Sequence, residues 1–357
     1  MQTPSCESAA SVAYRVVPVV PRGPSLSRLW HGLGTRSGPR HLLRLAKVAS
    51  EVSAAALLDT VLPLPTCAAS VEWGRARHLR PSVALFLHWS PTGRVSSMVR
   101  NQCALWARQG FSIVFITNSA VPVADWDAVG EHAVLLIRRP NRGLDFGAWR
   151  DAWPIVKERL GVPRELLLAN DSVLGPIRPI EPIVDAWRGA GDGLFGMTES
   201  VAPRPHLQSY LLLARGERAV ASVGAHLGRF RDSRSKWRIV QTGEVALTPQ
   251  ALADGNVCGC LFDYATIRSM IDPATRMALG PRFSAAAPDR HFPLNPTIHL
   301  WRPLVEQMGF PYLKREVLRR MPDPLSRKAA WRDLVSGSDA LLIEDHYRIM
   351  GESWAPK

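Results

Sequence analysis

Glu165-Leu-Leu-Leu-Ala-Asn-Asp-Ser172 is an apolar run that breaks off into three polar residues, the pattern of a buried strand ending at a turn. Upstream, Val83-Ala-Leu-Phe-Leu-His88, Phe111-Ser-Ile-Val-Phe-Ile-Thr117 and Ala133-Val-Leu-Leu-Ile137 repeat the apolar run. The stretches between them change period. Residues 96–109 put Val99, Cys103 and Trp106 on one side of a helix that stops at Gly110. Asp145 stands where it can cap a helix carrying Trp149, Ala152, Trp153, Val156 and Leu160 on its buried side. Strands alternating with helices at this spacing predict βαβ units. The expected fold is therefore α/β, a mainly parallel sheet flanked by helices. Ligands of such sheets bind beyond the carboxyl ends of the strands. That rule singles out His88-Trp89-Ser90, Thr117-Asn118, residues 138–145 and Asn170-Asp171-Ser172.

The second half is less regular. Residues 193–198 and 208–213 read as strands, 218–231 and 243–254 as helices, 303–308 as a short helix and 310–313 as an extended piece. Residues 1–78 form a basic extension rich in Pro, Gly, Ser and Arg, expected to be partly disordered. Within it, 40–62 turns helical, with Leu42, Leu45, Ala49, Val52 and Ala56 at three- and four-residue steps. Such a helix either lies on an anionic membrane surface or packs on its own domain; an apolar side of mostly Ala and Val favours packing. The expected division is an extension at 1–78, a main domain at 79–325 and a C-terminal extension at 326–357.

Composition narrows the function classes. A hydrophobic fraction of 46% over 357 residues is that of a globular chain with a sizeable core. Lys and Arg outnumber Asp and Glu 44 to 31, which favours anionic partners. No basic run interleaved with aromatics and no zinc-finger spacing appears, which argues against nucleic acid. Five cysteines, Cys6, Cys67, Cys103, Cys258 and Cys260, are odd in number and irregular in spacing. They point to a reducing compartment, and Cys258-Gly-Cys260 reads as two ordinary buried thiols. No run approaches the ~18 apolar residues of a membrane span, and no secretory signal opens the chain. The expected location is cytoplasmic, with peripheral contact on the inner face of the membrane as a further option.

An acidic residue such as Asp171, at the end of an apolar strand, is costly unless it meets a cation or hydrogen-bond donors. Mg2+ or Mn2+ bridging a diphosphate would meet that need and neutralise a departing nucleoside diphosphate. Alternatively Asp171 serves the turn that Gly175-Pro176 makes. In Arg138-Arg-Pro-Asn-Arg-Gly-Leu-Asp-Phe-Gly-Ala-Trp149, two glycines admit close backbone approach and three arginines suit a phosphate. The same residues also describe a plain strand-to-helix turn. His206, Gln208, Ser209 and Tyr210 either contact sugar hydroxyls or line a strand entrance. Glu244 is a candidate base for an acceptor hydroxyl or a surface charge. His299, in Asn295-Pro-Thr-Ile-His299, is a base, a metal ligand or a structural histidine.

Six ordered blocks resemble the rhamnan synthesis F family of bacterial polysaccharide glycosyltransferases. They are Asn141-Arg-Gly-Leu-Asp-Phe-Gly-Ala-Trp149, Leu166-Leu-Leu-Ala-Asn-Asp-Ser-Val-Leu-Gly-Pro176, Phe195-Gly-Met-Thr198, His206-Leu-Gln-Ser-Tyr210, Gly243-Glu244 and Asn295-Pro-Thr-Ile-His-Leu-Trp301, covering roughly residues 81–320. The resemblance implies a GT-A-type fold, with a Rossmann-like nucleotide-binding half and a mixed acceptor-side half. It sets Asn170-Asp171-Ser172 in the place of the Asp-X-Asp metal motif, with Asp171 as metal ligand, and gives Asn141, Gly143 and Asp145 to the nucleotide or donor sugar. One carboxylate stands where two are usual, so arginines are an alternative countercharge. The implied reaction is transfer of a sugar, rhamnose by family, from a nucleotide-sugar donor such as dTDP-rhamnose. The acceptor is a lipid-linked saccharide of cell-surface polysaccharide (O-antigen or rhamnan) synthesis. Inversion is expected, with Glu244 or His206 as base. Two competing functions are a catalytically silent sugar-nucleotide- or saccharide-binding subunit and a nucleotidyl- or phosphotransferase using a metal-bound Asp171. Absence of a Gly-x-x-x-x-Gly-Lys-Ser/Thr loop speaks against the last.

Overall fold

A computed structural model describes residues 14–20, 38–64, 69–271, 273, 294–320 and 331–351. Cys6 and Cys67 lie outside the described residues, as do parts of both expected extensions. Among the described residues the strands are β1 (Val17–Pro18), β2 (Ser70–Trp73), β3 (Ser82–His88), β4 (Phe111–Thr117), β5 (Ala133–Arg138), β6 (Glu165–Asn170), β7 (Val173–Leu174), β8 (Gly193–Ser200), β9 (His206–Leu207), β10 (Leu211–Arg215), β11 (Cys258–Phe262) and β12 (Leu313–Lys314).

The four apolar runs form a parallel block in the order β6-β3-β4-β5. Leu85 of β3 stands opposite Val114 of β4 and Leu168 of β6, so β3 is central. Because successive strand side chains face opposite sides, Ala84 and Phe86 enter one core, while Val83, Leu85 and Leu87 enter the other. The first core takes Trp106 from helix Ser97–Arg108 and Trp187 from helix Glu181–Gly189. The second takes Trp149 and Trp153 from helix Leu144–Leu160 and Val223 and Leu227 from helix Glu217–Arg229. Continuous apolar strands are what a sheet covered on both faces requires.

Beyond β6 the sheet becomes mixed. β10 runs antiparallel to both β6 and β8, and β11 runs parallel to β8. The edges are β2, antiparallel to β5, and β1, antiparallel to β11. Residues 17–18 and 70–73, within the expected extension, thus pair at the two edges of the sheet. Helix Gly38–Val61 meets the body through Asp59, which pairs with Arg234 at 2.8 Å, and through Glu51, which accepts from Ser235 Oγ at 2.7 Å. Leu57, Leu58 and Val61 of this helix remain exposed. Among the described residues no helix is long and apolar enough to cross a membrane. Cys103, Cys258 and Cys260 are free, buried thiols, and burial pushes all three above the usual thiol range.

One expected cap is corrected. Gly143, at φ 66°, caps helix Leu144–Leu160, and Asp145 falls inside its first turn. A Cβ on Gly143 would stand 2.1 Å from Asp232 Oδ1, so both the conformation and the space call for glycine. Asp145 is left free to turn its carboxylate towards β6.

The amino ends of the block are clamped by Glu165. This buried carboxylate accepts from Ser82 Oγ at 2.8 Å, Arg188 Nη2 at 2.8 Å and Arg215 Nε at 3.1 Å, joining β3, β10 and helix Glu181–Gly189 to β6. Burial raises its pKa, but the bonds from Arg188 and Ser82 prevail and hold it below the usual glutamate range. Glu165→Ala is expected to cost about 3 kcal/mol at pH 7, since it strands two arginines around a buried gap. A depressed carboxylate contributes stability above its unfolded pKa and loses it on acidification. In urea unfolding, the deficit of the variant should therefore shrink as the pH falls below the ordinary glutamate range.

Candidate active site

Four strand ends, β3 to β6, open on one edge of the sheet, and the polar residues that follow them meet there. His88 Nδ1 lies 3.1 Å from Thr117 Oγ1, fully buried, and burial lowers its pKa to about 4, so it is a neutral strut between β3 and β4. Asn141 is exposed at the mouth, where its Oδ1 accepts from Asn118 Nδ2 at 3.3 Å. Two of the arginines expected to meet a phosphate are committed elsewhere. Arg138 lies over the Trp126 ring at 3.9 Å, and Arg139 is spent on Asp151 at 2.8 Å, Asn118 at 2.9 Å and the Arg142 carbonyl at 2.9 Å.

A hydrogen-bonded chain crosses the floor of the cleft. Asn170 Nδ2 donates to Asp145 Oδ2 at 2.7 Å, and Asn170 Oδ1 accepts from Ser172 N at 3.0 Å and Ser172 Oγ at 2.5 Å. Ser172 Oγ in turn accepts from Lys314 Nζ at 2.8 Å, and that ammonium lies over the Tyr210 ring at 4.8 Å. Lys314 arrives from β12, which pairs with β7 in the register Leu313 to Leu174 and Lys314 to Val173. Tyr210 is fixed from below: its hydroxyl meets Thr198 Oγ1 at 2.8 Å, and Thr198 donates to Gln208 Oε1 at 2.7 Å. Gln208 reaches Asn295 Oδ1 at 3.5 Å, and the Asn295 N–H donates to His299 Nδ1 at 2.8 Å, which ties the last sequence block to the others.

On the facing side, Glu244 opens helix Glu244–Ala253. Its Oε2 accepts from Ser209 N at 3.1 Å and from Ser209 Oγ, and its Oε1 lies 3.4 Å from His206 Nε2. His206 Nδ1 donates to the Arg204 carbonyl at 2.7 Å, which sets the ring's orientation. Burial raises Glu244, but His206 and Ser209 prevail and hold it below the usual range.

Asp145 behaves oppositely. Burial lifts it to about 6; Glu244 and Asp171 push the same way, and Lys314 and Asn170 only partly oppose them. Lys314 is itself lowered by burial, although Glu316, Glu244 and Asp145 favour its charge. Asp145, Ser172, Glu244 and Lys314 are each only partly covered.

Asp171 shares the strand end but not this chain. Its carboxyl is buried, Oδ2 accepts from Trp89 N at 2.9 Å, and Arg315 and His346 act on it electrostatically. Burial raises its pKa. A divalent ion needs carboxylate oxygens left open to it. Here Oδ2 is taken by the Trp89 N–H, and Arg315 and His346 supply positive influence on the group. Among the described residues no three His, Cys, Asp or Glu side chains form a metal-holding group.

Of the residues that sequence reasoning names, Asp145, Asn170, Ser172 and Tyr210 join the chain that ends at Lys314. His206, Ser209 and Glu244 form a second group, and Gln208 and His299 connect through Asn295. Asn141 and Gly143 bond or pack elsewhere, and Lys314 is missed. That lysine follows an apolar tetrapeptide 142 positions from Ser172, with no pattern to flag it. Only the β12–β7 pairing brings it in. Asp232 is missed too: it pairs with Arg150 at 3.0 Å against Gly143.

An α/β sheet with a polar, charged cleft at its carboxyl edge is the ligand-binding class the topology predicts. Within it, residues 113–220 match the family described as rhamnan synthesis protein F, the family that the sequence blocks resemble. That span holds Asp145, Asn170, Ser172 and residues 206–210. Among curated proteins the chain is 26% identical over 243 residues to "Uncharacterized protein y4gN" of Sinorhizobium fredii (strain NBRC 101917 / NGR234), covering 62% of this chain and 63% of that protein. It is 26% identical over 201 residues to "Virulence protein VirA" of Vibrio anguillarum, covering 53% of this chain and 63% of that protein. The matches thus span less than two thirds of these relatives. A solved mannosyltransferase, PcManGT from Pyrobaculum calidifontis in complex with GDP-Man and Mn2+, aligns over 85% of this chain and 90% of its own, at 12% identity and a TM-score of 0.36. That likeness is too loose for anything to be carried across.

The strained carboxylate gives a direct check. A raised acid contributes stability while protonated, below its unfolded pKa, and loses it as the pH rises through the folded value, here about 6. Asp145→Asn keeps an acceptor for Asn170 and removes the charge. At pH 7.5 the variant should be more stable than wild type by on the order of 1–3 kcal/mol, with the gap closing by about pH 4. Urea unfolding at the two pH values measures it.

Proposed function

We propose that this chain is a glycosyltransferase that binds a nucleoside-diphosphate sugar across the carboxyl ends of β3 to β6 and passes the sugar to a saccharide hydroxyl. One observation carries the reading. Asp145, Asn170, Ser172 and Lys314 form a continuous polar floor opposite Glu244, within a chain whose residues 113–220 match the rhamnan synthesis protein F family. A carboxylate kept where burial penalises it marks a functional place. Asp145 binds hydroxyls of the donor sugar, and Asn141 and Gly143 line the nucleotide end. Glu244, oriented by Ser209 and His206, takes the acceptor proton. The acceptor oxygen bonds to the anomeric carbon from the face opposite the diphosphate, the carbon–diphosphate bond breaks, and the configuration inverts.

The family description, rhamnan synthesis, supports rhamnose as the sugar; a dTDP-activated donor and a lipid-linked acceptor of cell-surface polysaccharide synthesis complete the proposal. The exposed Leu57, Leu58 and Val61 and the excess of basic residues fit peripheral contact with an anionic membrane face. Glu244 and Asp171 both act on Asp145 electrostatically, so the site has more than one carboxylate, which supports an enzyme over a silent binding subunit.

The test is a panel of sugar nucleotides, dTDP-rhamnose first, with lipid-linked saccharide acceptors and a readout of released nucleoside diphosphate. Glu244→Gln should lower kcat by about 10²–10⁴-fold with a smaller change in donor KM, as loss of a general base does. Wild-type kcat/KM should fall as the pH drops through about 6, where Asp145 takes up its proton. Release of pyrophosphate would instead indicate nucleotidyl transfer, and binding with no turnover on any acceptor would indicate a silent subunit.

A further inference from the structure

Lys314 is a half-buried ammonium whose own protein does not use it up. An ammonium has three N–H donors. Among the described residues Lys314 spends one, on Ser172 Oγ at 2.8 Å, and no carboxylate pairs with it directly. Asp145, Glu244 and Glu316 act on it from a distance, so the surroundings favour a positive charge without neutralising it by contact. The Tyr210 ring, 4.8 Å away, supports the cation. Its neighbour Arg315 lies over the Trp89 ring at 5.9 Å and has one nitrogen, Nη1, buried with no hydrogen-bond partner among the described residues. Holding a charge where burial already penalises it is costly unless an anion completes it. The position is set by backbone pairing of β12 to β7, not by a loose loop.

We infer that Lys314 receives the departing diphosphate, in the role that the resemblance gives to a divalent ion at Asp171, and that donor binding at this cleft needs no metal. The inference rests on the reading of the cleft as a sugar-nucleotide site. As the carbon–oxygen bond to the sugar breaks, its electron pair stays on the diphosphate oxygen. The two N–H groups of Lys314 not given to Ser172 donate to the diphosphate, and no proton needs to leave the lysine. Ser172 and Asn170 position the ammonium, and Asp145 terminates the same chain on the sugar side, so departure of the diphosphate and hold on the sugar are mechanically linked. Asp171, bonded to Trp89 and faced by Arg315, is left to brace the strand end.

The full chain is titrated with dTDP, UDP and GDP by calorimetry, first in EDTA and then with added Mn2+. The expected result is binding of one of these in EDTA with little change on adding Mn2+. Lys314→Met should weaken that binding roughly 10- to 100-fold, the worth of a hydrogen bond to a charged group. Lys314→Arg should retain most of it, and binding of the uncharged nucleoside should be unchanged by either substitution. Wild-type binding that EDTA abolishes and Mn2+ restores would overturn the inference and leave the glycosyltransferase reading standing; this arm holds even if Lys314→Met does not fold. Undiminished binding by a folded Lys314→Met would also overturn it. Failure of all three diphosphates to bind, with or without Mn2+, would instead remove the sugar-nucleotide reading beneath it.

Discussion

The parallel pairing of β3 between β4 and β6 is the constraint on which the rest of the molecule depends. Three adjacent strands buried on both faces have no room for polar side chains along their length. Polar residues are therefore displaced to the strand ends. Where the strands run the same way, all their carboxyl ends collect on one edge, and the loops leaving β3, β4, β5 and β6 converge there. At the opposite edge the same pairing gathers Ser82 and Glu165, and the Arg188 and Arg215 bonds close that end. One end of the block is thus satisfied internally and the other is left with charges facing a cleft.

The two ends differ in how charge is balanced. Glu165 has two arginines in contact and lies low in pKa. Asp145 has an amide in contact, two carboxylates nearby and an ammonium out of direct reach, and is lifted to about 6. Lys314 has a hydroxyl in contact and is lowered by burial. Neither charge is placed where a folding argument alone would place it. Both gain if an uncharged sugar and an anionic diphosphate fill the space between them. That is the physical content of the proposed donor site, and it sets the chain from Asp145 to Lys314 at its centre.

The sequence makes much of this legible, for identifiable reasons. β3 to β6 stand out because their apolar runs are continuous, and the strand ends after them follow from topology alone. Asp145, Asn170, Ser172, Glu244 and the polar group at 206–210 are visible as polar residues at those ends or in the shared blocks. Less legible are features fixed by distant pairing. β11 is interrupted by Gly259, β1 and β2 are short edge strands, and helix Val123–Gly130 starts without a side-chain cap. Asp145 reads as a helix cap from its position, but Gly143 takes that place because only glycine fits against Asp232 at positive φ. Lys314 has no local signature at all, since its meaning lies entirely in the β12–β7 register. Residues 138–139 mislead in the other direction: two arginines in a loop suggest a phosphate, yet Trp126 and Asp151 hold them in place.

The most direct test of the account is where a nucleotide lands. Amide hydrogen exchange, measured with and without a saturating nucleoside diphosphate sugar, should show protection at residues 89–90, 141–147, 171–174 and 313–315, the pieces that frame the carboxyl edge. Protection at the amino edge instead, around Ser82, Phe111 and Glu165, would contradict the placement of the site on which the whole reading rests.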